Sequence, residues 1–158
     1  ALLAGFVALE GVADWAVTLD ADGQHDPQDV PGLIRAIPEG RRPIVIGRRE
    51  RMIGEDVPWT SRFGRKFSNF WVMAAGGSFL SDTQSGLRIY PLPESARLGV
   101  TARRFQFEVE ILVRAQWKGI PVIEVPVGVS YTPGMKRVSH FRPFVDFCRN
   151  CETFTLLI

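Results

Sequence analysis

Asp20 and Asp22 stand two positions apart, directly after the short apolar run Trp15-Ala16-Val17-Thr18-Leu19, and Gly23-Gln24-His25-Asp26-Pro27 follows them. An apolar run of that length reads as a buried strand. Ligands collect beyond the carboxyl ends of strands in open α/β sheets. Both carboxylates can point the same way off an extended turn, with Gly23 letting the chain bend sharply. Their hard oxygens suit Mg²⁺ or Mn²⁺, ions usually held by one or two carboxylates together with substrate phosphates. A bare Asp-x-Asp is more often only a polar turn. Here the strand before it and the Gln24-His25-x-Pro27 tail after it argue for a site. An EF-hand loop is excluded, because no Glu occupies its twelfth position.

These residues need a scaffold, and the chain supplies alternating patterns. Residues 1–12 read as a helix, 15–19 as a strand, and Pro27 to Ile37 as a helix with Asp26 as N-cap and Pro27 at its first position. Ile44-Val45-Ile46 is a second buried strand. Thr60 to Ala75 reads as a helix ended by Gly76-Gly77, Leu87 to Tyr90 as a strand, and Phe107 to Trp117 as a helix ended by Gly119. Val122 to Val125 and Val127 to Tyr131 are expected to be extended and broken by Pro126. Helical spacing returns near Phe141. Strands alternating with helices predict an α/β layer sandwich.

Composition sets the outer limits. The chain has 158 residues, a soft prior for one domain. Nineteen basic against seventeen acidic residues give a net charge of +2, too even for a dedicated nucleic-acid binder. Hydrophobic residues at 46% and charged residues at 23% fit a globular core. No apolar run reaches the ~18–20 residues of a membrane-spanning helix. Cys148 and Cys151 alone exclude a disulfide scaffold and favour a reducing, cytosolic setting; without a second ligand pair they read as packing residues. Sixteen of the nineteen basic residues are Arg, which fits phosphate recognition and equally a GC-rich coding sequence.

The segment Thr18-Leu19-Asp20-Ala21-Asp22-Gly23-Gln24-His25-Asp26-Pro27 closely resembles the metal-binding motif of family 2 glycosyltransferases of the polyprenyl- or dolichyl-phosphate mannosyl- or glucosyltransferase type. Further blocks follow in the family's order. Ile46-Gly47-Arg48-Arg49 is similar to its Gly-Ser-Arg segment, and Ser61 to Arg65 through Asn69 to its Arg- and Asn-containing helix. Asp82-Thr83-Gln84-Ser85-Gly86-Leu87-Arg88 resembles its D-x-x-S-G-F block. Phe107-Glu108-Val109-Glu110, then Gly119-Ile120-Pro121 and Glu124-Val125-Pro126-Val127, resembles its F-x-x-E helix and following strand.

The resemblance implies a Rossmann-like GT-A three-layer α/β sandwich and inverting transfer of a sugar from a nucleotide-sugar donor to a polyprenyl phosphate, in cell-envelope glycan or glycolipid synthesis. It implies that Asp20 and Asp22 bind the donor and that Asp20, Asp22 and Gln24 hold Mg²⁺ or Mn²⁺, which neutralises charge on the departing diphosphate. Asp82 would act as base or orient the nucleophile at the acceptor; the alternative is a turn cap after Ser81. Arg48, Arg62, Arg65, Gln84, Ser85 and Lys136 would meet acceptor phosphate, with Arg103 and Arg137 as weaker candidates. Arg62 and Arg65, three apart on a helix, share a face; the competing reading is a solvated surface. Gly86 is expected to supply a positive φ. Of Glu108 and Glu110, one is expected to face the acceptor and the other solvent.

The family's amino-terminal V-P-x-Y-N-E strand is missing, so a fragment without the nucleotide-binding strands is expected. Residues 1–140 would form the C-terminal part of the catalytic domain. Residues 141–158, with Phe141, Phe144, Cys148 and Cys151 on one stripe, would form either a membrane-surface helix or an ordinary packing helix. A peripheral place on the inner face of the membrane follows, with no nucleic-acid partner. Two alternatives stand beside this reading: transfer to a saccharide or lipid hydroxyl, and a truncated, non-catalytic relic. A processive synthase is disfavoured because Q-x-x-R-W is absent, and a P-loop hydrolase because no G-x-x-x-x-G-K-[ST] occurs.

Overall fold

The computed structural model describes residues 2–50, 59–76, 79–102, 105–128 and 155, and for 59–65 and 105 only the backbone. Eight principal elements run in the order α1 (Leu2–Ala8), β1 (Trp15–Thr18), α2 (Val30–Arg35), β2 (Ile44–Arg49), α3 (Trp59–Ala74), β3 (Arg88–Pro91), α4 (Phe105–Trp117) and β4 (Val122–Val127). The α/β architecture expected from the alternating patterns is present. The sheet is mixed, in the order β1-β3-β2-β4. β3 runs antiparallel to both β1 and β2, whereas β2 and β4 are parallel.

Residues 44–47 are buried without a break because the sheet is covered on both faces. Ile44 and Ile46 face a core of Val72, Tyr90, Ile111 and Leu112 beneath α3 and α4. Val45, Leu87, Ile89 and Val127 face Leu33 of α2 on the other side. This period-two division of β2 between two cores makes the three-layer arrangement.

Several boundaries differ from expectation. The first helix stops at Ala8 and continues as turns to Gly11, whose φ is +78°. Asp26 does cap the helix after it, its Oδ1 accepting from Gln28 N at 2.8 Å, but the first turn is a 3₁₀ turn over Pro27–Asp29 and α2 ends at Arg35. Pro126 does not break the last strand. β4 runs through it, paired opposite Arg48, because an edge strand tolerates a residue without an N–H. The helical spacing from Phe141, Cys148 and Cys151 lie outside the described residues.

Candidate functional site

The acidic turn begins where β1 ends. Thr18 donates its hydroxyl to Gly86 O at 2.9 Å, tying the strand end to the turn before β3. Asp22 Oδ1 accepts from Gln24 N at 3.1 Å, an Asx turn that Gly23 completes with a φ of +74°. Asp20 and Asp22 are exposed, and Gln24 is half-buried.

Gly86 lies hard against Asp20: a Cβ there would overlap the carboxylate carbon and both oxygens. The expectation of a positive φ at Gly86 is therefore corrected, since its φ is not among the positive ones. What the position requires is room for Asp20.

The turn from Ser81 to Ser85 is held from three elements. Glu124 of β4 accepts from Ser81 N and Asp82 N, both at 2.8 Å. Asn69 of α3 donates to Ser81 O at 2.7 Å and accepts from Thr83 N and Oγ1. Ser68 of the same helix accepts from Gln84 Nε2 at 3.0 Å. Arg88 of β3, fully buried, donates to Thr83 O, Ser85 O and Glu108 O at 2.7–2.9 Å. A buried guanidinium needs such a full set of acceptors, because an unpaired charge there costs several kcal/mol.

Asp82, fully buried, forms a two-pronged ion pair with Arg49: Nε to Oδ2 at 2.7 Å and Nη2 to Oδ1 at 2.8 Å, with Arg49 N also donating to Oδ2. His25 is buried within electrostatic reach of Asp20, Asp22, Arg49 and Asp82. Burial first, then Arg49, holds it below the ordinary histidine value despite the three carboxylates. Its Nδ1 has no hydrogen-bond partner among the described residues. Half-buried Glu108 faces the same charges from α4. Burial pushes its carboxyl up from 4.5 to about 7, opposed by Arg88 and Arg49 and reinforced by Asp20 and Asp82. An open cleft of about 820 Å³ adjoins this cluster, lined by Gln24, His25, Asp29, Glu50, Val127 and Gly128 among others.

The site thus gathers Asp20, Asp22, Asp82, Gly86 and Glu108, and adds His25 and Arg49. Arg48 instead pairs with Glu50 at 3.2 Å on the surface. Placed under Gly-Ser-Arg, the segment Gly47-Arg48-Arg49 puts the motif's Arg at Arg49, a signal that sequence reasoning passed over. Ser85 is fully buried, its Oγ without a partner among the described residues. Glu110 is not solvent-exposed as expected of one glutamate: its carboxylate accepts from Ala102 N at 2.6 Å and pairs with Arg114. The side chains of Arg62 and Arg65, and all of Arg103, Lys136 and Arg137, lie outside the described residues. Among the described residues no three His, Cys, Asp or Glu side chains form a ready cation cage, and no helix is long and apolar enough to cross a membrane.

Comparison with known proteins gives the same lineage. The family model described as glycosyl transferase family 2 matches residues 1–92. A UDP-N-acetylglucosamine–dolichyl-phosphate N-acetylglucosaminyltransferase of Methanococcus voltae is 34% identical over 129 residues, 79% of this chain and 51% of that protein. An undecaprenyl-phosphate mannosyltransferase of Micrococcus luteus is 31% identical over 133 residues, 80% of this chain and 54% of that one. An undecaprenyl-phosphate 4-deoxy-4-formamido-L-arabinose transferase of Aeromonas hydrophila is 34% identical over 90 residues, 57% of this chain and 26% of its own length. The chain spans about half the length of the first two of these relatives. With more than half of its residues matched by the family model, the chain belongs to glycosyl transferase family 2.

Proposed function

We propose that this chain carries the acceptor-side half of an inverting glycosyltransferase that moves a sugar from a nucleotide-sugar donor to a polyprenyl phosphate at the inner face of the membrane. The observation that carries the proposal is the apposition of Asp20 and Gly86. It brings the Asp20 carboxylate at the end of β1 to the turn before β3 that also carries Asp82, the partner of Arg49. Support for the acceptor comes from the relatives, whose names specify dolichyl or undecaprenyl phosphate.

A divalent cation fits the donor set. Asp20 and Asp22 offer exposed carboxylate oxygens, Gln24 an amide oxygen, and the missing Cβ at Gly86 leaves Asp20 its place. Mg²⁺ or Mn²⁺ takes such sparse protein ligation when substrate phosphates complete the shell. Bound there, the ion would neutralise charge on the leaving diphosphate. The chain's own groups then divide the remaining work. In the reaction, an acceptor oxygen attacks the anomeric carbon as the bond to the nucleotide diphosphate breaks. A lipid phosphate is already an anion and needs no proton removed.

Asp82 suits the orienting role better than proton removal, because Arg49 already occupies both of its oxygens. Arg49 brings fixed positive charge to the site, and Arg62, Arg65, Gln84, Ser85 and Lys136 remain proposed acceptor contacts beside Arg48. Glu108 keeps the hydroxyl-acceptor alternative open, since a carboxyl held near 7 has the proton affinity of a general base.

The test is metal-dependent transfer of label from nucleotide sugars to polyprenyl phosphate by the natural full-length protein, with a glycoside acceptor alongside. Label is expected in the lipid only with Mg²⁺ or Mn²⁺ present, and Asp22→Asn is expected to lower transfer by roughly 100-fold or more with the fold intact. Normal turnover in that variant would refute the ligand role. Label entering only the glycoside would move the assignment to a hydroxyl acceptor.

A further inference from the structure

Helix α3 has two unlike sides. One is built into the protein: Ser68 and Val72 are fully buried, Ala75 just beyond the helix is nearly so, and Ser68 and Asn69 grip the turn that presents Asp82. The other side is open among the described residues. Lys66 is exposed, Phe70 is 55% exposed and Met73 43%. Positions 66, 70 and 73 follow the i, i+4, i+7 spacing of a single helical stripe. At the same end of the helix Trp117 is 51% exposed, its indole N–H anchored on Ala75 O at 2.9 Å. Phe79, shortly after the helix, is 80% exposed.

Scattered exposed apolar residues need no explanation, but Phe70 and Met73 on one helical stripe with Lys66 do. The sixteen residues of α3 include two Arg and one Lys and no Asp or Glu, so nothing on the helix repels an anionic surface. Lysine above an apolar stripe is the arrangement of a helix lying in a lipid interface, with the ammonium among headgroups and the rings below them. We propose that this face of α3 docks on an anionic lipid surface, an inference that rests on the polyprenyl-phosphate reading above. The position suits that role. The helix that meets the lipid also holds, through Ser68 and Asn69, the turn where the acceptor phosphate would arrive. Nor is this face needed for extending the sheet at β1: α3 is tied through Ser81 to Glu124 of β4, the strand at the opposite edge of the sheet.

The experiment is co-sedimentation of the full chain with phosphatidylcholine vesicles, with and without phosphatidylglycerol, while Tm is measured in parallel. Binding is expected only with the anionic lipid. Phe70→Ser combined with Met73→Ser should weaken it about tenfold or more, and Lys66→Glu about fivefold with a shallower salt dependence. Ile34→Ser, exposed on α2 across the sheet, should change nothing. Absence of binding, or unchanged binding by the Phe70/Met73 variant, would overturn the proposal. So would a large loss of Tm in that variant with binding retained, which would show the face covered by the chain itself. Loss of a concentration-dependent dimer without vesicle binding would assign the face to a second copy and overturn it equally. Transfer by the natural full-length protein to a short, water-soluble polyprenyl phosphate without vesicles reads the acceptor separately, so either idea can fail alone.

Discussion

At Gly86 and Asp20, space rather than backbone conformation links two distant segments. A methyl group at position 86 would overlap the Asp20 carboxylate, but Asp20 is exposed and can swing away. Gly86→Ala should therefore cost under about 1 kcal/mol of stability while displacing the proposed metal ligand by ångströms, which commonly lowers turnover ~100-fold. Thermal melting beside a transfer assay checks the split; equal, large losses in both would place Gly86 in the core instead. Glu108 gives a pH signature of opposite sign to an ordinary surface carboxylate. Its folded value, about 7, lies above its unfolded value of 4.5, so between those limits the folded state holds the extra proton. Stability contributed by this group is full below pH 4.5, falls as pH rises toward 7, and is flat above. Glu108→Gln should match wild type near pH 4 and exceed it at pH 8 by at most about 3 kcal/mol. The difference between the two proteins' melting curves across pH isolates Glu108 from His25, whose lowered value makes stability fall below pH 6.5.

At the scale of elements, the turn from 81 to 85 owes its shape to α3, β3 and β4 rather than to its own sequence. Glu124 carries the clearest test, since its Oε1 receives two backbone N–H groups. Glu124→Gln keeps an acceptor oxygen and should cost about 0.5 kcal/mol, whereas Glu124→Ala strands both donors and should cost about 2 kcal/mol or more. Denaturant melts of the two variants decide it, and equal losses would mean that the carboxylate's packing, not its acceptor atoms, matters. This also explains what could be read beforehand. The acidic turn was legible because a strand, two carboxylates and a glycine lie within nine consecutive residues. The strands were legible because burial on both faces leaves unbroken apolar runs. The roles of Asn69, Arg88 and Glu124 were not, since each acts across 3 to 43 positions on backbone atoms that leave no residue-type signal. Pro126 misled for a related reason: whether a proline ends a strand depends on whether that strand lies at the edge, which only the assembled sheet decides.

Among the described residues one side of the sheet is open. There β1 pairs with β3 alone, four residues long, and Val17 on it is 46% exposed, whereas β2 is flanked by β3 and β4 and its first three residues are completely buried. An edge with unsatisfied N–H and C=O groups invites another strand, and relatives about twice as long have residues beyond those matched here. Hydrogen exchange should therefore divide the sheet. Amides of residues 15–18 should exchange roughly 100-fold or more faster than those of 44–46, because opening an edge strand costs less than opening the core. The measurement is native-state exchange on the 158-residue chain at two protein concentrations. Equal protection that fades on dilution would mean that copies pair through β1; equal protection at every concentration would mean that another part of this chain covers the edge. With fast exchange at 15–18 the acidic turn hangs from the least stable strand of the sheet. A longer protein that adds a strand beside β1 would then steady Asp20 and Asp22 directly, and full metal-dependent activity should appear only in that longer form.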